Sequence, residues 1–200
     1  SIKKFNFDYF SLDGSSQLIA KTGYSRIGGF EIYLSRPELG SYLWETILEA
    51  GRSENIRPGS PNIIDRVEAG LLSYGNEMTV ENTPLECNMD KFLDIYKEAD
   101  YIGKKVLQRQ IRYGIKRRIK GVIYKGPKLP TISRPLQVFD IDKRTIVGSL
   151  TSGAFSPHFK SNIGVGMVKY GYWDNNKKIL VNIADQEFRE GLIKDLPLIQ

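Results

Sequence analysis

Cysteine and histidine are almost absent from this chain of 200 residues, which contains one of each. A single cysteine, Cys87, excludes an intrachain disulfide framework and favours a reducing compartment, so we expect a cytoplasmic protein. With His158 as the only histidine, the sequence also disfavours a zinc site built from cysteine and histidine ligands, and we expect no metal.

Several segments typical of other protein classes are missing as well. No run of 18 apolar residues occurs, so the sequence predicts neither a transmembrane helix nor a membrane partner. The glycine-rich phosphate loop ending in Lys-Ser/Thr, the Gly-x-Ser-x-Gly elbow and His-Glu-x-x-His are absent, which argues against three large enzyme classes. Because residues 1–7 show neither an initiator methionine nor an apolar signal core, we expect a processed chain or one cut from a longer protein.

Positive charge is concentrated in one part of the chain. The net charge is +6, yet eleven basic residues and no acidic residue lie between Tyr101 and Phe139. Such a segment is either a solvated face or a surface for a polyanion, and nothing in the sequence decides between them. A nucleic-acid role would require aromatic residues interleaved with the charge, so we expect no nucleic-acid partner.

The first third predicts strands followed by a helix. Apolar and polar residues alternate between Phe5 and Phe10, a turn follows at Asp13-Gly14, and a return strand ends at Thr22, so a β-hairpin is expected. A third strand is predicted at residues 30–34.

Two helices are predicted next. Ser35, Pro37 and Glu38 have the pattern of a capping box at a helix start, and Gly51 is a typical helix end. A second helix is expected from Ile63, with Tyr74-Gly75 at its end; its apolar side would carry Ile63, Ile64, Val67, Leu71 and Leu72.

The second half predicts a basic helix and then short strands. Residues 102–115 favour a helix that ends near Gly114. The strands separated by Gly, Pro and Asn-Asn turns predict an antiparallel barrel or sandwich; they cover residues 119–124, 136–139, 145–150, 164–170 and 179–183. The overall class is therefore α+β, and we place the domain boundary near residue 97.

Three segments could carry chemistry. Residues 22–33 hold three glycines before a strand in which Glu31 and Tyr33 face one way and Phe30 and Ile32 the other. Residues 62–71 place Asn62 and Arg66 four positions apart on a helix. Residues 148–159 gather small and hydroxyl side chains in an expected loop. The alternatives for these segments are a solvent-facing strand, an ordinary amphipathic helix and a tight turn.

Taken together and in this order, the segments resemble the folate-dependent aminomethyltransferase family, which includes the glycine-cleavage T protein. The resemblance rests on five stretches that span nearly the whole chain: Thr22–Ile32, Arg66–Leu71 with Tyr74-Gly75, Thr83–Glu86, Ile102–Lys104, and Thr151–Gly153 with Ser156-Pro157. It implies a ferredoxin-like strand–helix portion of the folate-binding domain (residues 1–97), followed by a small antiparallel β-barrel domain (98–200).

The resemblance also implies a cofactor site. At the family's Phe-Glu-Ile position, Glu31 would bind the pterin of tetrahydrofolate, and Tyr33 would line the same pocket. Asn62, where the T protein has an arginine, and Arg66 are the other expected cofactor-binding residues. The catalytic residues are expected on an N-terminal half that these 200 residues do not contain, so we do not expect the chain to turn over alone.

Within the family, the sequence is most similar to the branch that demethylates dimethylsulfoniopropionate. Shared stretches include Phe7–Phe10, Pro61–Ile64, Glu86-Cys87 and Ser156–Phe159. That branch moves a methyl group from a small sulfonium substrate to tetrahydrofolate. Glycine-cleavage aminomethyl transfer with a lipoyl carrier, and non-catalytic folate binding, remain alternatives.

Overall fold

The computed structural model describes residues 2–24, 28–60 and 62–199. These residues form two compact units that divide between Asn62 and Ile63. The expected domain boundary near residue 97 stays a prediction of the sequence.

The first unit contains a three-stranded antiparallel sheet in the order β1-β2-β3. Its strands are β1 (Phe7–Leu12), β2 (Ser15–Ala20) and β3 (Glu31–Tyr33). Asp13 and Gly14 connect β1 to β2 with φ angles of 48° and 72°. Two successive positive φ angles define the tight turn that matches the twist of a hairpin, which confirms the predicted hairpin.

Helix α1 (Gly40–Ala50) follows the sheet and ends at Gly51 as predicted. A short 3₁₀ turn, Pro37–Leu39, precedes it, and its N-cap residue is Arg36, without a side-chain cap. The predicted capping box is therefore wrong. Ser35 is instead tied to β2, because its N–H donates to Gln17 Oε1 at 2.8 Å.

The second unit contains two helices, α2 (Ile63–Glu68) and α3 (Lys104–Tyr113). Helix α2 is shorter than predicted, whereas α3 ends at Gly114, whose φ of 83° suits glycine, as expected. No helix within the described residues combines the length and apolar character needed to cross a membrane.

The rest of the second unit is a closed antiparallel barrel in the order β4-β7-β6-β5-β8-β9, which confirms the predicted architecture. Sequence analysis missed its last strand. The six strands are β4 (Arg117–Tyr124), β5 (Leu136–Phe139), β6 (Ile146–Ser156), β7 (Ser161–Lys169), β8 (Lys178–Ala184) and β9 (Glu187–Lys194).

Two apolar clusters fix the barrel and the helix beside it. Residues of β4 contribute to both clusters. Val122 and Tyr124 belong to the cluster inside the barrel, whereas Ile119 packs with Val67 of α2 in the cluster outside it. Because successive residues of a strand point to opposite faces, a strand that lies between two cores is buried on both of its faces. In β4 the residues from Ile119 to Val122, together with Tyr124, are accordingly buried, although Arg117, Arg118 and Lys120 make the first half of the strand basic.

The segment expected to be a loop at residues 148–159 is largely strand β6, so that prediction was wrong. Its small residues permit close approach of β7. A Cβ on Gly153 would lie 2.4 Å from the Ile163 carbonyl oxygen, and one on Gly166 would lie 1.9 Å from that of Ser149. Glycine thus serves strand packing here rather than a turn.

Candidate functional site

Strand β3 presents two polar-tipped side chains on one face. Glu31 and Tyr33 are both exposed, and Ile32 between them is half-buried. Residues two apart in a strand share a face. The structure therefore places Glu31 and Tyr33 side by side, as the sequence predicted.

Strand register extends this face across the whole sheet. Glu31 pairs with Ala20 and Tyr33 with Leu18 in β2, and those two residues pair with Phe7 and Tyr9 in β1. Directly opposed residues of antiparallel strands lie on the same side of a sheet. The resulting surface, called the aromatic face below, consists of Phe7, Tyr9, Leu18, Ala20, Glu31 and Tyr33.

The rings of the aromatic face are open to solvent. Tyr9 is 61% exposed, Phe7 59% and Tyr33 55%. Phe7 and Tyr9 meet edge to face with ring centroids 6.1 Å apart. Three exposed aromatic rings on one small sheet form an apolar surface that an aromatic ligand can contact.

A single carboxylate stands at the edge of this surface. The hydroxyl of Thr22 donates a hydrogen bond to Glu31 Oε2. An ionised carboxylate has about four acceptor positions, so Glu31 retains capacity for two further donors. Chemically, the site offers an aromatic platform with a fixed anionic acceptor at one end.

One expectation about this strand was wrong. Phe30 was predicted to face the core with Ile32, but it is 57% exposed. The cause is that β3 begins at Glu31, so Phe30 precedes the paired strand and its orientation is not set by the sheet.

The other two predicted site residues lie elsewhere in the chain. Asn62 is exposed and directly precedes α2. It belongs to the first unit together with Glu31 and Tyr33, whereas Arg66 belongs to the second. Residues 25–27 and Pro61, which contributed to the family resemblance, lie outside the described residues.

Arg66 is engaged in a buried ion pair. Its Nη1 donates to Glu77 Oε2 at 2.9 Å and to the Leu71 carbonyl oxygen at 2.8 Å, and its Nη2 donates to Glu77 Oε1 at 3.2 Å. The Glu77 side chain has no exposed surface, and Arg66 is 11% exposed. Any ligand contact by Arg66 is left to Nε and the second Nη2 hydrogen.

Two of the sequence motifs meet inside the second unit. Ser156 Oγ donates to Glu68 Oε1 at 2.5 Å, and both residues are buried. The same hydroxyl oxygen accepts the Phe159 N–H at 3.0 Å. The alternative interpretation of this segment, an ordinary amphipathic helix with solvated charges, therefore does not hold for Glu68, which joins α2 to the end of β6.

Gly70 explains the Ala-Gly step after α2. Its φ is +66°, and a Cβ there would lie 3.0 Å from the Leu196 side chain and 3.3 Å from the Pro197 backbone. The C-terminal segment closes over this position, with the Leu198 N–H donating to the Glu68 carbonyl oxygen. These motif residues hold the second unit together.

Sequence reasoning did not assign Phe7 and Tyr9 to the site. The alternation within β1 indicates that they share a face, but only the strand register shows that this face carries Glu31. As for metals, no three His, Cys, Asp or Glu side chains within the described residues lie close enough to bind one.

Comparison with known proteins identifies the family. The model of the GCVT N-terminal domain matches residues 1–97, and that of the glycine cleavage T-protein C-terminal barrel domain matches residues 117–196. The chain belongs to this glycine-cleavage T-protein family, whose members are folate-dependent methyl or aminomethyl transferases.

Individual relatives fall into both activities. The dimethylsulfoniopropionate demethylase DmdA of Ruegeria pomeroyi is 40% identical over 172 residues, which are 86% of this chain and 46% of the demethylase. An aminomethyltransferase of Caldanaerobacter subterraneus subsp. tengcongensis is 36% identical over 195 residues, covering 96% of this chain and 50% of the enzyme.

A solved structure shares the fold. Aminomethyltransferase T of the glycine cleavage system from Bartonella henselae superposes with a TM-score of 0.76 at 22% identity, covering 92% of this chain and 50% of that one. The chain thus spans about half the length of the curated relatives it matches.

Proposed function

We propose that this chain supplies the folate-binding surface of a tetrahydrofolate-dependent methyltransferase whose methyl donor is dimethylsulfoniopropionate. The products would be methylthiopropionate and 5-methyltetrahydrofolate. The observation that carries the proposal is the aromatic face with Glu31 at its edge, in a chain 40% identical to a demethylase of this substrate.

The residues present fit a pterin. A pterin is flat and offers an amino group and a ring N–H side by side, and one carboxylate accepts both in a bidentate arrangement. Glu31 has the free acceptor positions for this, while Tyr33, Tyr9 and Phe7 provide the surface for the ring. The hydrogen bond from Thr22 limits rotation of the carboxylate.

Methyl transfer from a sulfonium requires the protein mainly to align the reacting atoms, because the donor carbon is already activated. N5 of tetrahydrofolate would form the bond to the methyl carbon while the C–S bond breaks with both electrons leaving on a neutral thioether. The proton of N5 would then be lost to solvent. Alignment of the nitrogen, carbon and sulfur therefore provides most of the catalysis. An apolar surface also excludes water from a reaction in which positive charge is dispersed.

Within this scheme, the chain's residues bind and orient rather than move protons. Glu31 fixes the in-plane position of the pterin, and Tyr33 covers part of its face. We include Asn62 as a further folate contact, in place of the arginine that the T protein carries. Arg66 stays a predicted contact, and its pairing with Glu77 gives it a structural role as well.

Aminomethyl transfer is the second candidate function. It is favoured by the aminomethyltransferases that match almost the whole chain, such as the one from Caldanaerobacter at 36% identity. Its donor would be an aminomethyl group on a lipoyl carrier protein, and ammonia would be released. The two candidates use the same pterin surface and differ in the donor.

The deciding experiment is a donor comparison with the protein expressed from its complete gene. Dimethylsulfoniopropionate plus tetrahydrofolate is incubated in parallel with an aminomethyl-lipoyl carrier plus tetrahydrofolate. Chromatography follows 5-methyltetrahydrofolate in the first reaction, and an ammonia assay follows the second.

The proposal predicts 5-methyltetrahydrofolate from the sulfonium and no ammonia from the lipoyl adduct. The reverse pattern would assign the protein to aminomethyl transfer. Saturable folate binding without either product would assign the protein as a non-catalytic folate-binding protein. Absence of folate binding would overturn the proposal that the aromatic face binds folate.

A further inference from the structure

The second unit contains two adjoining cavities that are lined by none of the residues of the aromatic face. One is an open groove of about 1440 Å³ and the other a pocket of about 510 Å³. They share a wall formed by Gln110, Gly114, Ile115 and Tyr170. A ligand that extends across this wall would contact both cavities.

The larger cavity, called the basic groove below, is dominated by positive charge. Arg109, Lys116, Arg117 and Lys169 line it, and Glu86 is the only acidic residue among the described residues of its lining. Glu86 is neutralised by Arg117, whose Nε lies 2.9 Å from its Oε1. Three cations thus remain in excess, which is a setting for an anion with several charges.

Two of these cations are available to a ligand. Lys169 Nζ donates to the Ile146 carbonyl oxygen. By contrast, the side chains of Arg109 and Lys116 make no hydrogen bond or ion pair with any described residue. Exposed Tyr113 lies beside them in the groove wall.

The smaller cavity, called the ring pocket below, has aromatic and apolar walls. Tyr170 and Trp173 meet edge to face at 5.1 Å, and Tyr96 adds a third ring. Its volume lies within the range of about 300–1,000 Å³ typical of small-molecule sites. These walls suit a planar aromatic ring.

The ring pocket also carries carboxylates. Asp90 is paired with Arg118 at 3.3 Å, whereas the exposed side chain of Asp94 has no ion-pair partner among the described residues. A carboxylate beside a ring surface accepts hydrogen bonds from an amino group on the ring edge, as acidic side chains do with amino-bearing bases.

From these features, we propose that the ring pocket and the basic groove together bind a nucleotide that has an amino-bearing base and several phosphates. The base lies against Tyr170 and Trp173 with its amino group at Asp94, and the phosphates lie at Arg109 and Lys116. This inference is independent of the folate proposal, because it uses none of the same residues.

The test measures binding of ATP, AMP, UTP and inorganic triphosphate to the chain by isothermal titration calorimetry at low and moderate salt. ATP is expected to bind more tightly than each of the other three compounds. AMP has fewer charges, UTP lacks the amino group on its base, and inorganic triphosphate lacks the ring. Binding of a short single-stranded oligoadenylate is measured as well, to determine whether the site prefers a free nucleotide or a nucleic acid that carries the same base and phosphates.

Matched variants locate the site. Lys116→Glu and Arg109→Glu are expected to weaken ATP binding about tenfold or more, because each removes a charge-assisted contact and adds repulsion. Lys105→Glu makes the same charge change on α3 outside both cavities, so it serves as the control. Asp94→Ala is expected to abolish the preference for ATP over UTP.

Equal losses for Lys116→Glu and Lys105→Glu would overturn the proposal, since binding would then follow net charge alone. Absence of saturable ATP binding at millimolar concentration would overturn it as well. If oligoadenylate bound at least about tenfold more tightly than ATP, the site would be assigned to single-stranded nucleic acid.

Discussion

Replacement of Glu77 by glutamine tests whether the stability of the second unit depends on the buried ion pair between Glu77 and Arg66 of helix α2. The Glu77 carboxylate accepts two hydrogen bonds from Arg66 and a third from the Ser73 N–H at 2.6 Å. Glutamine keeps the shape and one acceptor, but it removes the negative charge and places an amide N–H₂ against donors.

The magnitude follows from burial. Glu77 has no exposed side-chain surface and Arg66 only 11%, so water cannot compensate the cation once its partner is neutral. Removing one partner of a buried ion pair costs about 3–5 kcal/mol. For a domain whose total stability is about 5–15 kcal/mol, that is a large share.

Urea denaturation followed by circular dichroism measures the effect. With an m-value of about 2 kcal/mol/M, the predicted loss lowers the unfolding midpoint by roughly 1.5–2.5 M. The double variant Arg66→Met, Glu77→Met is the control, because removal of both charges leaves no unpaired ion and is expected to recover much of the loss.

Two results would refute this reasoning. The first is a Glu77→Gln protein that unfolds within about 0.5 kcal/mol of the wild type, the range of ordinary surface substitutions. The second is a double variant no more stable than Glu77→Gln. The first would mean that the pair contributes little to stability, and the second would mean that the loss does not come from an unpaired Arg66 cation.

Three further predictions concern the second unit. Gly153→Ala should lower stability by about 1–3 kcal/mol in the same assay, since its Cβ would lie 2.4 Å from the Ile163 carbonyl oxygen, whereas Gly59→Ala, with nothing within 4 Å, should be neutral. Burial raises the pKa of Tyr124 to about 12. Because the phenol of Tyr124 has a pKa near 10 in the unfolded chain, it contributes about 2–3 kcal/mol of stability below pH 10 that should be lost between pH 10 and 12. The same loss in Tyr124→Phe would contradict this assignment. Burial also raises the pKa of the Cys87 thiol, so its reaction with a thiol reagent at pH 8 should be slow in the native protein and fast in urea; equal rates would show the thiol to be accessible.

Local signals in the sequence predicted the parts of the fold that depend on few residues. Asp13-Gly14 predicted the hairpin turn because few other residue pairs tolerate two positive φ angles. Gly114 predicted a helix end for a similar reason, because its φ is 83°. Gly51 has a φ of −92°, and glycine suits that helix end because a Cβ would lie 2.5 Å from the Ile56 side chain. These features need no knowledge of distant contacts.

Other parts depend on residues far apart in the chain. Strand β9 was missed because Glu187, Arg189 and Glu190 interrupt its apolar pattern, and its strand character comes from pairing with β4 and β8. The small residues around Gly153 suggested a loop, although they permit close contact with β7. A single sequence does not show which strand will lie opposite.

The candidate site follows the same rule. Alternation within β3 was enough to place Glu31 and Tyr33 on one face. The contribution of Phe7 and Tyr9 required the register of three strands. Likewise, the apolar pattern that begins at Ile63 predicted a helix, but it did not predict that Arg66 and Glu68 are buried in contacts with Glu77 and Ser156.

The central claim is that the face carrying Glu31 binds the pterin of tetrahydrofolate. The most direct measurement is the tetrahydrofolate affinity of Glu31→Gln in the protein expressed from its complete gene, beside that of Glu45→Gln, an exposed glutamate on α1. A charge-assisted hydrogen bond contributes about 1.5–3 kcal/mol, so Glu31→Gln should weaken binding by roughly 10- to 150-fold while Glu45→Gln leaves it unchanged. Equal affinities for the two variants would contradict the account.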